Sequence, residues 1–202
     1  ELLPQTKGMV VSLGMPVRRR GGLYNTACVV ADGHIAGFAA KEHLAGEGLH
    51  YEPRWFKPWP NHQVVELERD GKSYPFGDVF FDFAGVRVGF EICEDAWVAQ
   101  RRGAIDGHAM DILVNPSASH FAFGKHEVRE RLVLEGSRSM AVSYLYANLL
   151  GNEAGRVIYD GGCYIAQNGK MLARSQRLTF DDSVLTTAVI DVEASQTEQV
   201  RT

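Results

Sequence analysis

Residues 79–97 read VFFDFAGVRVGFEICEDAW. Two short apolar runs flank Ala84-Gly85, which is a strand, a tight turn and a second strand. The second strand is expected to end at Cys93, where the sequence turns acidic. A strand end followed by a loop is a common place for a nucleophile, because the sheet fixes the backbone while the loop leaves the side chain open. The acids complicate this reading. Glu91 precedes Cys93, and Glu94 and Asp95 follow it. Negative neighbours raise a thiol pKa. Cys93 is therefore either an inert strand-end cysteine or a nucleophile whose neighbours are offset by a cation from elsewhere.

Strand signals continue on both sides. VVSLGMPV (10–17) is a buried-strand pattern. Residues 23–41 form a hairpin about Asp32-Gly33, with Lys41 at the exit of its second strand. Residues 43–61 are punctuated by glycine and proline and rich in aromatics, which predicts a long loop, and long ordered loops are more often functional than ornamental. Asp70-Gly71 marks another turn. Residues 111–119 predict a buried strand, and 125–141 a helix with Val128, Leu132 and Met140 on one face. VSYLYANL (142–149) predicts a strand, GNEAG (151–155) a loop, Asn168-Gly169 a hairpin turn, and LTTAVIDV (185–192) a closing strand. The pattern is one strand-rich α+β or layered α/β domain with helices covering sheets.

Composition limits the function classes. The chain has 202 residues, 45% hydrophobic and 23% charged, with a formal net charge of −4. That charge gives no reason to expect nucleic acid or an anionic membrane as partner. Three widely spaced cysteines suggest neither a disulfide framework nor a zinc site, and no metal or cofactor site is visible in this chain. A reducing cytoplasm is the simplest compartment. The chain opens ELLPQTKG without an initiator Met, and reads as entered midway through a longer sequence.

Cys28 and Cys163 sit among apolar residues and read as packing. Lys41 reads either as a solvated strand-end lysine or as the cation that favours a Cys93 thiolate and holds an oxyanion, with the Glu94 N–H as second donor. Glu52, in the loop after Lys41, carries little weight on spacing alone. His120 and His126 could pair with a cysteine, but seven scattered histidines give no basis for choosing one.

The motifs GMPVRRRGGLYNTACVV, KEHL, YEPRWF, GFEICEDAW, NPSASHFAFGKHEVRERL, YLYANLLGNEAG and IYDGGCYIAQNGKML occur here in one order. Together they resemble the carbon–nitrogen hydrolase (nitrilase) superfamily and, within it, the glutaminase domains of glutamine-dependent NAD synthetases. The resemblance covers nearly all of residues 1–202. It implies a single-domain four-layer α-β-β-α sandwich and amide hydrolysis by a Glu-Lys-Cys triad. Cys93 matches the nucleophile, Lys41 the triad lysine, and Glu52 the further acid that orders the lysine and substrate. Glu94, Trp97, Ser119 and Lys125 match residues lining the glutamine pocket, with Lys125 standing where arginine is common. The triad glutamate matches no residue of this sequence, nor does the SGGxDS-type loop of a synthetase domain. ATP and Mg²⁺ would belong to that domain. The implied partners are L-glutamine, a synthetase domain or subunit, and further copies in a homo-oligomer. Two other readings stay open: a stand-alone amidase acting on an ω-amide, carbamoyl or nitrile substrate, and a non-catalytic assembly domain.

Overall fold

The structure is a computed structural model that describes residues 2–101, 110–153 and 155–201. The chain divides into two compact units, one ending at Phe81 and the other beginning at Asp82.

The first unit is built on a five-stranded sheet of order β1-β2-β3-β5-β4. Strands β1 (Val10–Arg19) and β2 (Gly22–Ala31) form a long antiparallel hairpin, and β3 (His34–Ala40) returns along β2. The Asp-Gly pairs turn as the sequence predicts. Asp32 and Gly33 take φ of 47° and 82°, the doubly left-handed geometry of a two-residue hairpin turn. Asp70 and Gly71 do the same between β4 (Val64–Arg69) and β5 (Lys72–Gly77). Val17, Cys28, Val30, Phe38, Ala40, Trp59, Leu67 and Phe76 form one buried cluster. Trp59 reaches it from the 43–61 loop and packs edge-on against Phe76, with ring centroids 4.8 Å apart. The loop is thereby anchored to the sheet, and it contains one helical turn, α1 (Glu52–Trp55).

The second unit holds a six-stranded sheet of order β13-β12-β9-β8-β7-β6. Its strands β7 (Val86–Phe90), β8 (Ile112–Ser117) and β9 (Ser143–Asn148) run parallel, so their C-terminal ends share one edge. β6 (Phe81–Phe83) precedes β7. β12 (Cys163–Gln167) and β13 (Lys170–Arg174) complete the sheet as the hairpin expected at Asn168-Gly169. Helix α2 (Lys125–Ser139) packs against β9, β12 and β13.

Five expectations are corrected. The 10–17 strand, expected to be buried, lies at the edge of its sheet and is mostly exposed, with Val17 alone of those eight residues buried. The strand before Cys93 ends at Phe90, and Cys93 opens a separate 3-10 turn, Cys93–Ala96. The GNEAG segment is not all loop: Leu150–Glu153 forms β10, paired with β11 (Val157–Asp160). β10 itself is polar and mostly exposed and lacks the alternation that marks a half-buried strand. Residues 185–192 form no strand. Leu185 and Val189 are 89% and 94% exposed, and the segment leads into α3 (Val192–Arg201), whose first turn Asp191 caps through the Ala194 N–H at 3.0 Å. β-propensity describes fit to a paired, half-buried surface; among the described residues no ladder receives this segment. Finally, α2 faces inward through Arg129, Val133, Gly136 and Ser137, with Met140 just past its end buried as expected, while Val128 is exposed.

Candidate active site

Lys41 follows β3 directly, and its backbone N–H donates to the Asn25 carbonyl at 2.9 Å. Its side chain is almost wholly buried, and Nζ donates to Glu52 Oε2 at 2.5 Å. A buried ammonium requires a partner, because desolvation without one costs several kcal/mol. Glu52 is positioned by the one-turn helix and by two further donors: the Ala45 N–H reaches Oε2 at 2.8 Å, and Asn25 Nδ2 reaches Oε1 at 2.7 Å. Asn25, in GLYNTA, was not among the expected site residues. Its signal was an amide side chain inside an otherwise apolar strand. The structure thus brings Lys41 and Glu52 together, with Asn25 as a third member.

In the second unit Cys93 has φ +52°, a left-handed conformation that costs a non-glycine residue roughly 1–3 kcal/mol. It is partly exposed, whereas Cys28 is buried and its thiol pKa is pushed up by that burial. Each acid flanking Cys93 is engaged. Glu91 is fully buried and ion-paired to Arg101, with Nη2 2.6 Å from Oε2. The Asp95 carboxylate accepts the Ile92 N–H at 2.9 Å, closing the turn on itself. Glu94 lies in the field of Lys125. The carboxylates that weigh against a thiolate in the sequence are therefore met by cations and backbone donors.

Lys125 is the first residue of α2, the positive end of the helix dipole. Burial lowers its pKa, the nearby Arg129 lowers it further, and the charges of Cys93 and Glu94 act in the opposite sense. Its Nζ lies 5.8 Å from the centre of the Trp97 ring and 3.4 Å from the His120 ring nitrogens. Cys93, Glu94, Trp97 and Lys125 thus form one cluster. His126 instead meets Glu127 at 3.5 Å.

Ser119 lies deeper. Its hydroxyl accepts from Arg129 Nε and Nη2 at 3.3 and 3.2 Å, and its carbonyl from Arg129 Nη2 and Asn148 Nδ2 at 2.8 and 3.0 Å. Arg129 is completely buried, its Nη1 donates to both Asp160 carboxylate oxygens at 2.7 and 3.0 Å, and Asp160 also accepts from Arg177 at 2.9 Å. This hub fixes the segment between β8 and α2 that carries His120 and leads to Lys125. Arg129, as a charged residue in a helix, reads from the sequence as solvated, and Asp160 and Asn148, at the ends of β11 and β9, carry no signal that would pick them out. A separate cavity of about 420 Å³ in the first unit is lined by Arg18, Leu23, Arg54, Trp55 and Lys57 among others; none of the expected site residues lines it.

The model of the carbon-nitrogen hydrolase family matches residues 1–202. The chain belongs to the carbon-nitrogen hydrolase family. The mouse glutamine-dependent NAD(+) synthetase is 33% identical over 202 residues, covering 94% of this chain and 28% of its own length. The crystal structure of a glutamine-dependent NAD(+) synthetase from Cytophaga hutchinsonii is 43% identical with a TM-score of 0.85, covering 93% of this chain and 31% of that one. An amidase of the nitrilase superfamily from Nesterenkonia AN1 has a TM-score of 0.69 at 17% identity, covering 99% of this chain and 68% of that one, a likeness of fold alone. This carbon-nitrogen hydrolase chain therefore has the α/β fold of the nitrilase superfamily, and it spans less than a third of the length of the synthetases it matches. No helix among the described residues is long and apolar enough to cross a membrane.

Proposed function

We propose that this chain hydrolyses the side-chain amide of L-glutamine, releasing ammonia for ATP-dependent amidation of nicotinic acid adenine dinucleotide to NAD. The observation that carries the reading is Cys93: a partly exposed cysteine held left-handed beyond a parallel strand, in a chain 43% identical to a portion of a glutamine-dependent NAD(+) synthetase.

The Cys93 thiolate attacks the amide carbon, and the carbonyl oxygen becomes an oxyanion. Lys41 and the Glu94 N–H serve as its donors, with Glu52 holding the lysine in orientation. Collapse expels ammonia and leaves a thioester, and water then attacks it to give glutamate and the free thiol. The base that takes the thiol proton and returns it to ammonia is a carboxylate to which no residue of this chain is assigned. Glu94, Trp97, Ser119 and Lys125 are proposed to contact glutamine. Glu94 matches its cationic α-amino group, Lys125 and Trp97 supply a cation beside an aromatic face, and Ser119 acts through the Arg129-braced segment. ATP and Mg²⁺ are needed at the synthetase portion, for which no residue here is proposed. Homo-oligomeric assembly and a cytoplasmic location complete the proposal.

The test is ammonia release from glutamine by the full-length protein. Cys93→Ala should abolish it, and Lys41→Met should lower kcat by about 10²–10³-fold, the scale of losing an oxyanion donor. Undiminished release by Cys93→Ala would overturn the reading, and a preference for simple ω-amides over glutamine would move it to a stand-alone amidase.

A further inference from the structure

We propose that Arg101 is a positioning residue for Cys93: its ion pair with Glu91 closes the loop from 91 to 101 around the nucleophile and holds the strained turn in place. The proposal rests on Cys93 being the nucleophile.

A left-handed cysteine persists only where its surroundings over-determine it. Backbone bonds do part of this. The Glu91 N–H donates to the Val114 carbonyl at 3.1 Å, and the Trp97 N–H to the Glu94 carbonyl at 2.9 Å. Side-chain anchoring next to the cysteine comes from Glu91, whose carboxylate receives Arg101 through Nη2 at 2.6 Å and Nε at 3.3 Å. The same carboxylate receives the Tyr144 hydroxyl at 3.0 Å.

That hydroxyl fixes the sense of the network. It accepts from Arg101 Nη2 at 3.1 Å and from Asn115 Nδ2 at 3.0 Å, which occupies both its lone pairs and leaves its one proton for Glu91. Asn115 is oriented in turn by the Ser117 hydroxyl, which donates to its Oδ1 at 2.6 Å. The exit of β7 is thereby tied to β8 and β9 at the edge where all three parallel strands end. Arg101 is the outermost member, with 17% of its side chain exposed and its guanidinium 5.5 Å from the centre of the Tyr144 ring. Both ends of the pair belong to the segment that carries Cys93, so it works as a staple on that loop.

The experiment compares the parent with Arg101→Lys, Arg101→Gln, Glu91→Gln and the double variant, in the full-length protein. Two quantities are read: kcat and KM for glutamine hydrolysis, and the rate of Cys93 alkylation by iodoacetamide mapped by mass. Arg101→Gln should lower kcat and Cys93 alkylation together by about 10²-fold with KM nearly unchanged, the scale of a misplaced reacting group. Arg101→Lys should recover about tenfold of this, because it restores the charge without the two-pronged geometry. The double variant should be no worse than Arg101→Gln, since the residues act as one unit. Should Arg101→Gln fail to fold, Tyr144→Phe removes one hydroxyl and must still shift both readouts the same way. Parent-like alkylation in Arg101→Gln, or a rise in KM at constant kcat, would overturn the proposal. If alkylation slows as expected but the parent releases no ammonia from glutamine, the staple stands and the glutaminase reading falls.

Discussion

The ammonium of Lys41 and the carboxylate of Glu52 meet at 2.5 Å, with the lysine side chain only 2% exposed. Such a pair contributes little net stability, but it is costly to break on one side, because the charge left behind stays buried. Glu52→Gln should therefore destabilise the protein by about 3 kcal/mol and lower kcat as Lys41 loses its orientation. Denaturant unfolding read beside kcat checks this. Parent-like values in both would remove Glu52 from the site.

Asn25 gives a finer probe. Its amide donates to Glu52 Oε1 at 2.7 Å. Asn25→Asp replaces that donor with a second carboxylate facing the first and competing for Lys41. A loss of about 1–3 kcal/mol is expected, the cost of leaving a polar group unsatisfied, against less than this for Asn25→Ser. Thermal unfolding of the two variants separates the cases.

The Arg129–Asp160 pair is a fully buried charge contact, both side chains being at most 1% exposed. Arg129→Met leaves Asp160 with Arg177 as its remaining cation and should cost about 3 kcal/mol, the lower end for breaking a buried pair. It should also weaken glutamine binding, because Ser119 and His120 lose the guanidinium that braces their carbonyls. Calorimetric unfolding and KM are the measurements. A destabilised protein with parent-like KM would restrict the hub to stability.

Alkaline stability follows from buried tyrosines. Burial raises the Tyr146 pKa to about 12 and drives Tyr144 well above its ordinary value, helped by Glu91. The folded chain keeps these protons when the unfolded chain releases them near pH 10. Their contribution is whole below pH 10 and is lost as pH rises toward the folded values, by about 2–3 kcal/mol for a two-unit shift. Stability measured from pH 9 to 12 should fall more steeply in the parent than in Tyr146→Phe. Identical slopes would contradict the assignment.

Much of the fold was legible because it depends on local chemistry. Asp32-Gly33, Asp70-Gly71 and Asn168-Gly169 can turn almost only as they do, and Lys41 follows from the length of the strand they set up. What escaped depends on distant partners. Arg129 faces inward because Asp160 receives it, which no helical periodicity reveals. Residues 185–192 carry strand propensity but form no strand among the described residues. Lys41 stands at a strand end as its sequence indicates and Cys93 lies a short way beyond one, yet the Lys41–Glu52 bond is made by a one-turn helix inside a loop whose path the sequence does not disclose. The offset of Glu91 by Arg101 was equally hidden, since the pair says nothing at the level of spacing.

The most direct test of the central claim is mass-mapped labelling of the full-length protein with a diazo-ketone analogue of glutamine, with and without excess glutamine. The account predicts a single adduct on Cys93, suppressed by glutamine, with Cys28 and Cys163 unmodified. Labelling spread over all three cysteines, or indifferent to glutamine, would contradict it.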